Sequence, residues 1–258
     1  LMRKAADGKL FPILRGDIER VLYDALPTSA AMHFGVSVTA VEDSGDAVGV
    51  TLSDGNRVEA DLLVGADGIH SSVRRLVFES SEISMKFLGF HTAAYFFESP
   101  TAMAALGGDF KLMTTDHRMA GFYGLEDGRV MAFFVMRANG PERPADPRAA
   151  LRQAYGDLGW VLPEALAAAP DPADIYYDIV AQIDMPTWHR GRSVLVGDAG
   201  YAVSLLAGQG ASLAMAGGRA LAEALSNTDA IEPALALMEQ RLRRPVQEKQ
   251  RAGRRTAD

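Results

Sequence analysis

Two strings in this chain of 258 residues combine an acidic side chain with glycines in a way that could hold a ligand. In the first, the apolar run Ser193-Val194-Leu195-Val196 stops at Gly197-Asp198, and Ala207-Gly208-Gln209-Gly210 then opens a helix-like run over residues 211 to 225. Where a parallel strand ends, the loops leave a crevice and backbone amides point outward, so Asp198 could accept hydrogen bonds from a polyol. Gly208, Gln209 and Gly210 would let the backbone approach a flat ring closely. The helix they open would turn unpaired amides and its positive dipole end towards that ring, stabilising negative charge on one edge of it. Taken alone, the same glycines could serve only a tight turn, with Asp198 as a helix cap.

The second string is Leu62-Leu63-Val64, a buried-type strand that ends at Gly65-Ala66-Asp67-Gly68 and gives way to Ser71-Ser72-Val73-Arg74-Arg75, a helix start. Asp67 could face a ligand, or could be an ordinary turn-forming Asp-Gly. Arg15 stands at the beginning of an early helix, where an isolated arginine is more often a surface charge.

The elements that must position these residues follow from periodicity. Ile18, Val21, Leu22, Ala25 and Leu26 fall at helical spacing and predict an amphipathic helix within residues 11 to 26. Two β-rich runs, 36 to 41 and 47 to 52, and a return run from Arg57 after the turn Ser53-Asp54-Gly55-Asn56, predict a small antiparallel sheet. From residue 86 to 137 aromatic β-segments (87 to 97, 110 to 115, 119 to 125 and 130 to 137), split by turn-like Asp116-His117-Arg118 and Glu126-Asp127-Gly128-Arg129, predict an antiparallel sheet of three or four strands. A Pro-rich linker at 141 to 147 leads to helical segments around 149 to 158 and 163 to 169. A β-run at 175 to 183 precedes the first string, and a helix over 234 to 251, basic towards its end, closes the chain; those charges read as a solvated face.

Composition excludes several classes. The chain has 48% apolar and 23% charged residues, a globular composition, and a net charge of −7, which argues against a nucleic-acid surface. It contains no cysteine, which rules out disulfides, thiolate metal sites and a thiol nucleophile and fits a cytoplasmic setting. No window reaches the ~18 apolar residues of a membrane span.

Residues 191 to 225, GRSVLVGDAGYAVSLLAGQGASLAMAGGRALAEAL, resemble the second FAD-binding motif of the FAD-dependent aromatic hydroxylases, the class A flavoprotein monooxygenases, almost throughout. Residues 61 to 75, DLLVGADGIHSSVRR, resemble that family's Asp-Gly motif, and Arg15 in ILRGDIERVLYDAL matches an early arginine of the family. The resemblance implies that Gly197 and Asp198 serve the ribityl chain and that Gly208, Gln209 and Gly210 lie beside the isoalloxazine ring. It further implies that Asp67, with Arg74, anchors FAD and helps to handle NADH or NADPH, and that Arg15 touches the phosphate or ribityl region. Tyr201 stands where the family usually has His, and Leu205 where it usually has Pro, which leaves the loop less rigid.

The implied fold is α/β: a Rossmann-like FAD-binding domain, residues 1–80 and 175–258, with an inserted antiparallel β-sheet substrate domain, residues 81–174. No G-x-G-x-x-G unit precedes Arg15, so the FAD domain is expected to be partial, lacking the N-terminal βαβ, and to bind FAD weakly or not at all without it. The strands at 62 to 64 and 193 to 196 should pair in parallel, and Asp198 should share a crevice with Gly208 to Gly210 that the large sheet roofs. His91, Tyr95, Phe97, Phe122, Tyr123 and Phe134 could line a pocket for a planar substrate. The implied activity is hydroxylation of an aromatic or polyketide-like small molecule by oxygen through a flavin C4a-hydroperoxide, with no metal and no catalytic side chain assigned. A reductase on the same scaffold is a second reading. A halogenase is a third, disfavoured because Trp160 and Trp188 are too far apart for the usual Trp-x-Trp signature, and a cofactor-less ligand-binding remnant is a fourth.

Overall fold

The computed structural model describes residues 14–257. Residues 14–37 and residues 38–257 belong to two compact units. In the first, helix α1, Arg15–Asp24, follows Leu14 as its N-cap. It matches the amphipathic run, although residues 11–13 of that expectation lie outside the described residues, and Val21 and Leu22 are exposed.

The second unit begins with a three-stranded antiparallel meander, β1 Val38–Asp43, β2 Val48–Leu52 and β3 Arg57–Ala60. The β2–β3 turn is made by Gly55, whose φ of +87° suits a residue without a Cβ. Strand β4, Leu63–Gly65, then leads through the Asp67 loop to helix α2, Ser72–Val77.

A five-stranded antiparallel sheet in the order β6-β7-β8-β5-β9 dominates the middle of the chain. Its members are β5 Ser84–Glu98, β6 Lys111–Thr115, β7 Arg118–Gly124, β8 Arg129–Arg137 and β9 Tyr176–Asp184. The aromatic alternation foretold four of these strands. The fifth, β9, comes from the 175 to 183 run and pairs with β5 along nearly its whole length, broken by a bulge between Phe87 and Phe90.

Helices cover one face of this sheet: α3 Pro100–Leu106, α4 Pro147–Tyr155 and α5 Leu162–Ala167. The first escaped the sequence reading, yet its signals are present: Ser99 accepts the Ala102 amide as N-cap, Pro100 opens the helix and Gly107 closes it in the left-handed region. Beneath them Phe122, Phe134, Leu151, Tyr155 and Leu162 are fully buried in one apolar cluster.

A third sheet joins β10 His189–Arg190, β11 Ser193–Leu195 and β4, with β11 and β4 parallel as expected, Val194 opposite Val64. After β11 come the short helix α6 Asp198–Tyr201, then α7 Gly210–Ser226 and α8 Ile231–Ala257. A second apolar cluster, with Trp188, Leu195, Tyr201, Leu235 and Met238 at its centre, packs α7 and α8 against this sheet. Among the described residues no helix is long and apolar enough to cross a membrane.

Candidate functional site

The chain leaves β11 through Gly197, at φ +64° and ψ −141°, a conformation that side-chain-bearing residues avoid. A Cβ there would also meet the Ala214 methyl of α7 at 3.0 Å, so glycine lets α7 lie close to the strand end. Asp198 follows as the first residue of α6. The chain then turns through the 3-10 segment Leu205–Ala207 and Gly208, at φ +64°, before Gly210 opens α7.

Helix α7 has no side-chain cap. The Leu213 amide returns to the Gln209 carbonyl at 3.1 Å, so the amides before it have no partner within the helix. A Cβ on Gly210 would lie 3.7 Å from Asp198 Oδ1, which places the carboxylate and the helix opening side by side. Together Asp198, Gly208, Gln209 and Gly210 form one wall of a crevice of about 380 Å³. The opposite wall is the large sheet, through Thr92 of β5, Phe133 of β8 and Asp178 of β9. The two strand-end expectations, Asp198 in the crevice of Gly208 to Gly210 and the antiparallel sheet as its roof, describe this arrangement.

Asp67 is placed differently. Its carboxylate takes the Ser71 hydroxyl, the Ser72 amide at 2.6 Å and the Val73 amide at 3.1 Å, closing the loop onto the start of α2. Burial works against its charge, but the Ser71 hydroxyl and the Val73 and Ser72 amides outweigh it and hold the carboxyl below the usual range. Asp67 is not among the residues lining the crevice, whereas Ile69 of the same loop is. Arg74 is buried, and its guanidinium donates to the Ala199 carbonyl at 2.6 Å and the Ile69 carbonyl at 2.5 Å, tying the first strand-end loop to the second. Arg15 lies exposed on α1, its Nε donating to Glu19 at 3.0 Å.

The crevice wall is braced from behind. Gln182 of β9 donates to the carbonyls of Val203 and Gln250, and Gln250 of α8 donates to those of Ile183 and Ala202. Arg254 completes the set on Gln182 Oε1 at 2.7 Å. Both glutamines are buried. A second brace holds β10: Glu239 of α8 accepts from the Trp188 amide, Thr187, Arg243 and His189 Nδ1. Burial would raise the Glu239 carboxyl, but these donors overcome it and bring it down to about 2.

The aromatic pocket expectation needs correction. Tyr95, Phe97, Phe122 and Phe134 are buried in the cluster under α4 and α5, and none of the six named residues lines the crevice. His91 instead bonds the Tyr177 hydroxyl at 3.0 Å and the Gly140 carbonyl at 2.9 Å, while Tyr123 packs edge-on against Phe110. Strand alternation supplies the reason: successive side chains face opposite sides, and the bulkier aromatic set went to the helix-covered face. Sequence reasoning missed Thr92, Phe133 and Asp178, although each neighbours a residue it named or lies in a strand it drew.

Known proteins resemble the chain in sequence and in fold. The model of the FAD binding domain family matches residues 13–230. A flavin-dependent monooxygenase of Legionella longbeachae is 32% identical over 81% of this chain and 54% of its own length. The tetracycline destructase Tet(55) superposes with a TM-score of 0.85 at 27% identity, covering 95% of this chain and 66% of that one. HpxO of Klebsiella pneumoniae, solved with FAD and uric acid, gives 0.77 at 26% identity, covering 95% of this chain and 62% of that one. The chain spans 54% to 57% of the length of the first curated relatives it matches.

Proposed function

The chain belongs to the FAD binding domain family of the FAD-dependent aromatic hydroxylases, and we propose that the protein is a monooxygenase that inserts oxygen into an aromatic or polyketide-like small molecule in the cytoplasm, with NADH or NADPH as reductant. The observation that carries the reading is the uncapped start of α7 beside Asp198, opening into a crevice roofed by the five-stranded sheet. FAD fits the residues present. Gly210 leaves the space beside the Asp198 carboxylate clear, Gly208 turns the chain without a side chain, and a helix N-terminus faces the same volume.

In this reading Asp198 accepts hydrogen bonds from the ribityl hydroxyls, Gly197 permits the turn that presents it, and the amides of Gly208, Gln209 and Gly210 face the ring. The positive end of α7 favours the negative charge of the reduced ring. Arg74 acts by holding the two loops together, and Asp67 by closing its own loop onto the start of α2. Bound FAD supplies the electron transfer and the activation of oxygen, and the chain orients the ring and keeps water from it. For the division into residues 1–80 with 175–258 for the cofactor and 81–174 for the substrate, the two apolar clusters support the part from residue 38 onward, one gathering residues 73–78 and 183–246, the other residues 93–175.

The test is titration of the purified protein, supplied with an N-terminal βαβ unit of the family, with FAD followed by flavin fluorescence, then NADH and NADPH oxidation with candidate phenols and product mass by mass spectrometry. Flavin uptake and a product heavier by one oxygen are expected. Reductant oxidation without oxygen in any product would favour a reductase, and a protein that takes up no flavin would sink the reading.

A further inference from the structure

Building on the reading of the crevice as the cofactor and substrate site, we propose that its sheet-side wall selects aromatic ligands by a hydrogen-bond donor, a phenol or enol hydroxyl, and turns away aromatic carboxylates, with Asp178 as the selecting residue. Asp178 sits on β9, opposite Thr92 of β5 in the sheet register, and is buried while lining the crevice. Both of its carboxylate oxygens lie 3.0 Å from Nε2 of His70, and the Ile179 amide donates to Oδ1 at 2.8 Å.

A carboxylate is an acceptor with about four lone-pair positions. One imidazole N–H and one amide do not fill them, so the oxygens can accept from a ligand. The Asp67 carboxylate, in contrast, takes three donors from its own loop and has no place on the crevice wall. The rest of the lining decides the charge preference. Two carboxylates, Asp178 and Asp198, line the crevice, and no lysine or arginine does so among the described residues. Thr92 cannot supply the missing donor, because its hydroxyl already points at the Phe134 carbonyl at 3.0 Å. Ile69, Phe133 and Val180 give this wall apolar contacts that suit a ring, and Tyr176 at the start of β9 adds one more hydroxyl at its edge. A ligand carboxylate against this wall would meet the like charge of Asp178 in a partly desolvated place with no cationic side chain beside it, while the positive end of α7 belongs to the opposite wall, assigned to the flavin ring. A neutral hydroxyl would find an acceptor held in place by His70.

The experiment compares two probes of matched shape, 2-naphthol and 2-naphthoate, titrated by fluorescence at neutral pH into the purified protein, without FAD and with FAD at saturation. The wild type should bind 2-naphthol at least about tenfold tighter than 2-naphthoate. Asp178→Asn, which keeps the side-chain shape, should weaken 2-naphthol by about tenfold and bring the two probes within about threefold of each other. His70→Gln, which leaves the carboxylate in place, should keep the preference for 2-naphthol. Equal or tighter binding of 2-naphthoate by the wild type, no binding of either probe, or an Asp178→Asn protein indistinguishable from the wild type would each overturn the proposal. Flavin uptake is read separately: a protein that discriminates the probes but takes up no FAD keeps this inference and loses the cofactor reading, and one that takes up FAD without discriminating does the reverse.

Discussion

Two neighbouring parallel strands, β4 and β11, each end in a glycine and then an aspartate before a helix, yet the two aspartates are used in opposite ways. After β4 the loop is long enough for Asp67 to fold back on Ser71, Ser72 and Val73, so its carboxylate is consumed by the loop itself. After β11 Asp198 follows Gly197 directly, starts a one-turn helix, and shares its crevice with the bare beginning of α7. Similar residues at the same topological place thus give one closed site and one open site. What separates them is position: Asp198 stands on the crevice wall beside the start of α7, and Asp67 does not.

The comparison can be broken most severely at Arg74, which bonds both loops at once. Arg74→Ala should cost about 3 kcal/mol, because it removes a buried side chain and strips two carbonyls of their donor. Urea unfolding at pH 7 measures it, and a loss under about 1 kcal/mol would show that the loops hold their shapes independently.

Glu239, which holds the segment at β10, offers a second carboxylate filled by its neighbours. Its folded value of about 2 lies below the ordinary 4.5, so its contribution is fully present above pH 4.5 and fades as pH falls towards 2. Glu239→Gln should therefore lose of the order of 2 kcal/mol at pH 7, and the gap to wild type should shrink by pH 3. A gap that stays constant between those pH values would mean that the charge of the carboxylate is not what matters.

Asp67→Ala removes an exposed cap and should cost about 1 kcal/mol. The carboxyl is held below its usual range, so that contribution is present at neutral pH and is lost as the solution becomes strongly acidic. Thermal unfolding at pH 7 checks it. Asp198→Ala should have the smallest effect on stability, within about 0.5 kcal/mol, while flavin affinity falls at least about tenfold. The reverse pattern, a destabilised protein with unchanged flavin uptake, would exchange the roles assigned to the two aspartates.

Much of this was legible in the residues. The strands and the gathering of Asp198 with Gly208 to Gly210 follow from apolar runs that stop at glycines, a local signal, whereas the parallel pairing of β4 with β11 comes from the family resemblance. The side of the large sheet that meets the crevice was not legible. Tyr95 and Phe134 look like pocket residues, whereas Thr92, three positions before the first, and Phe133, one position before the second, hold that place on the alternate face. Which face is covered depends on where α4 and α5 dock, and that is settled by packing far along the chain. Asp178 was hidden for the same reason, since only the pairing of β9 with β5 carries it to the crevice.

The paired glutamines behind the crevice bear on how such proteins could be recombined. Gln250 and Gln182 hold the carbonyls of residues 202 and 203, so the contour of the wall is partly written in the last helix, 48 positions further along the chain. A chimera that exchanged the crevice loops and the large sheet with those of a relative would inherit an unmatched brace. Donor segments would have to travel together with the matching turn of α8, residues 250 to 254, for the transplanted pocket to keep its shape.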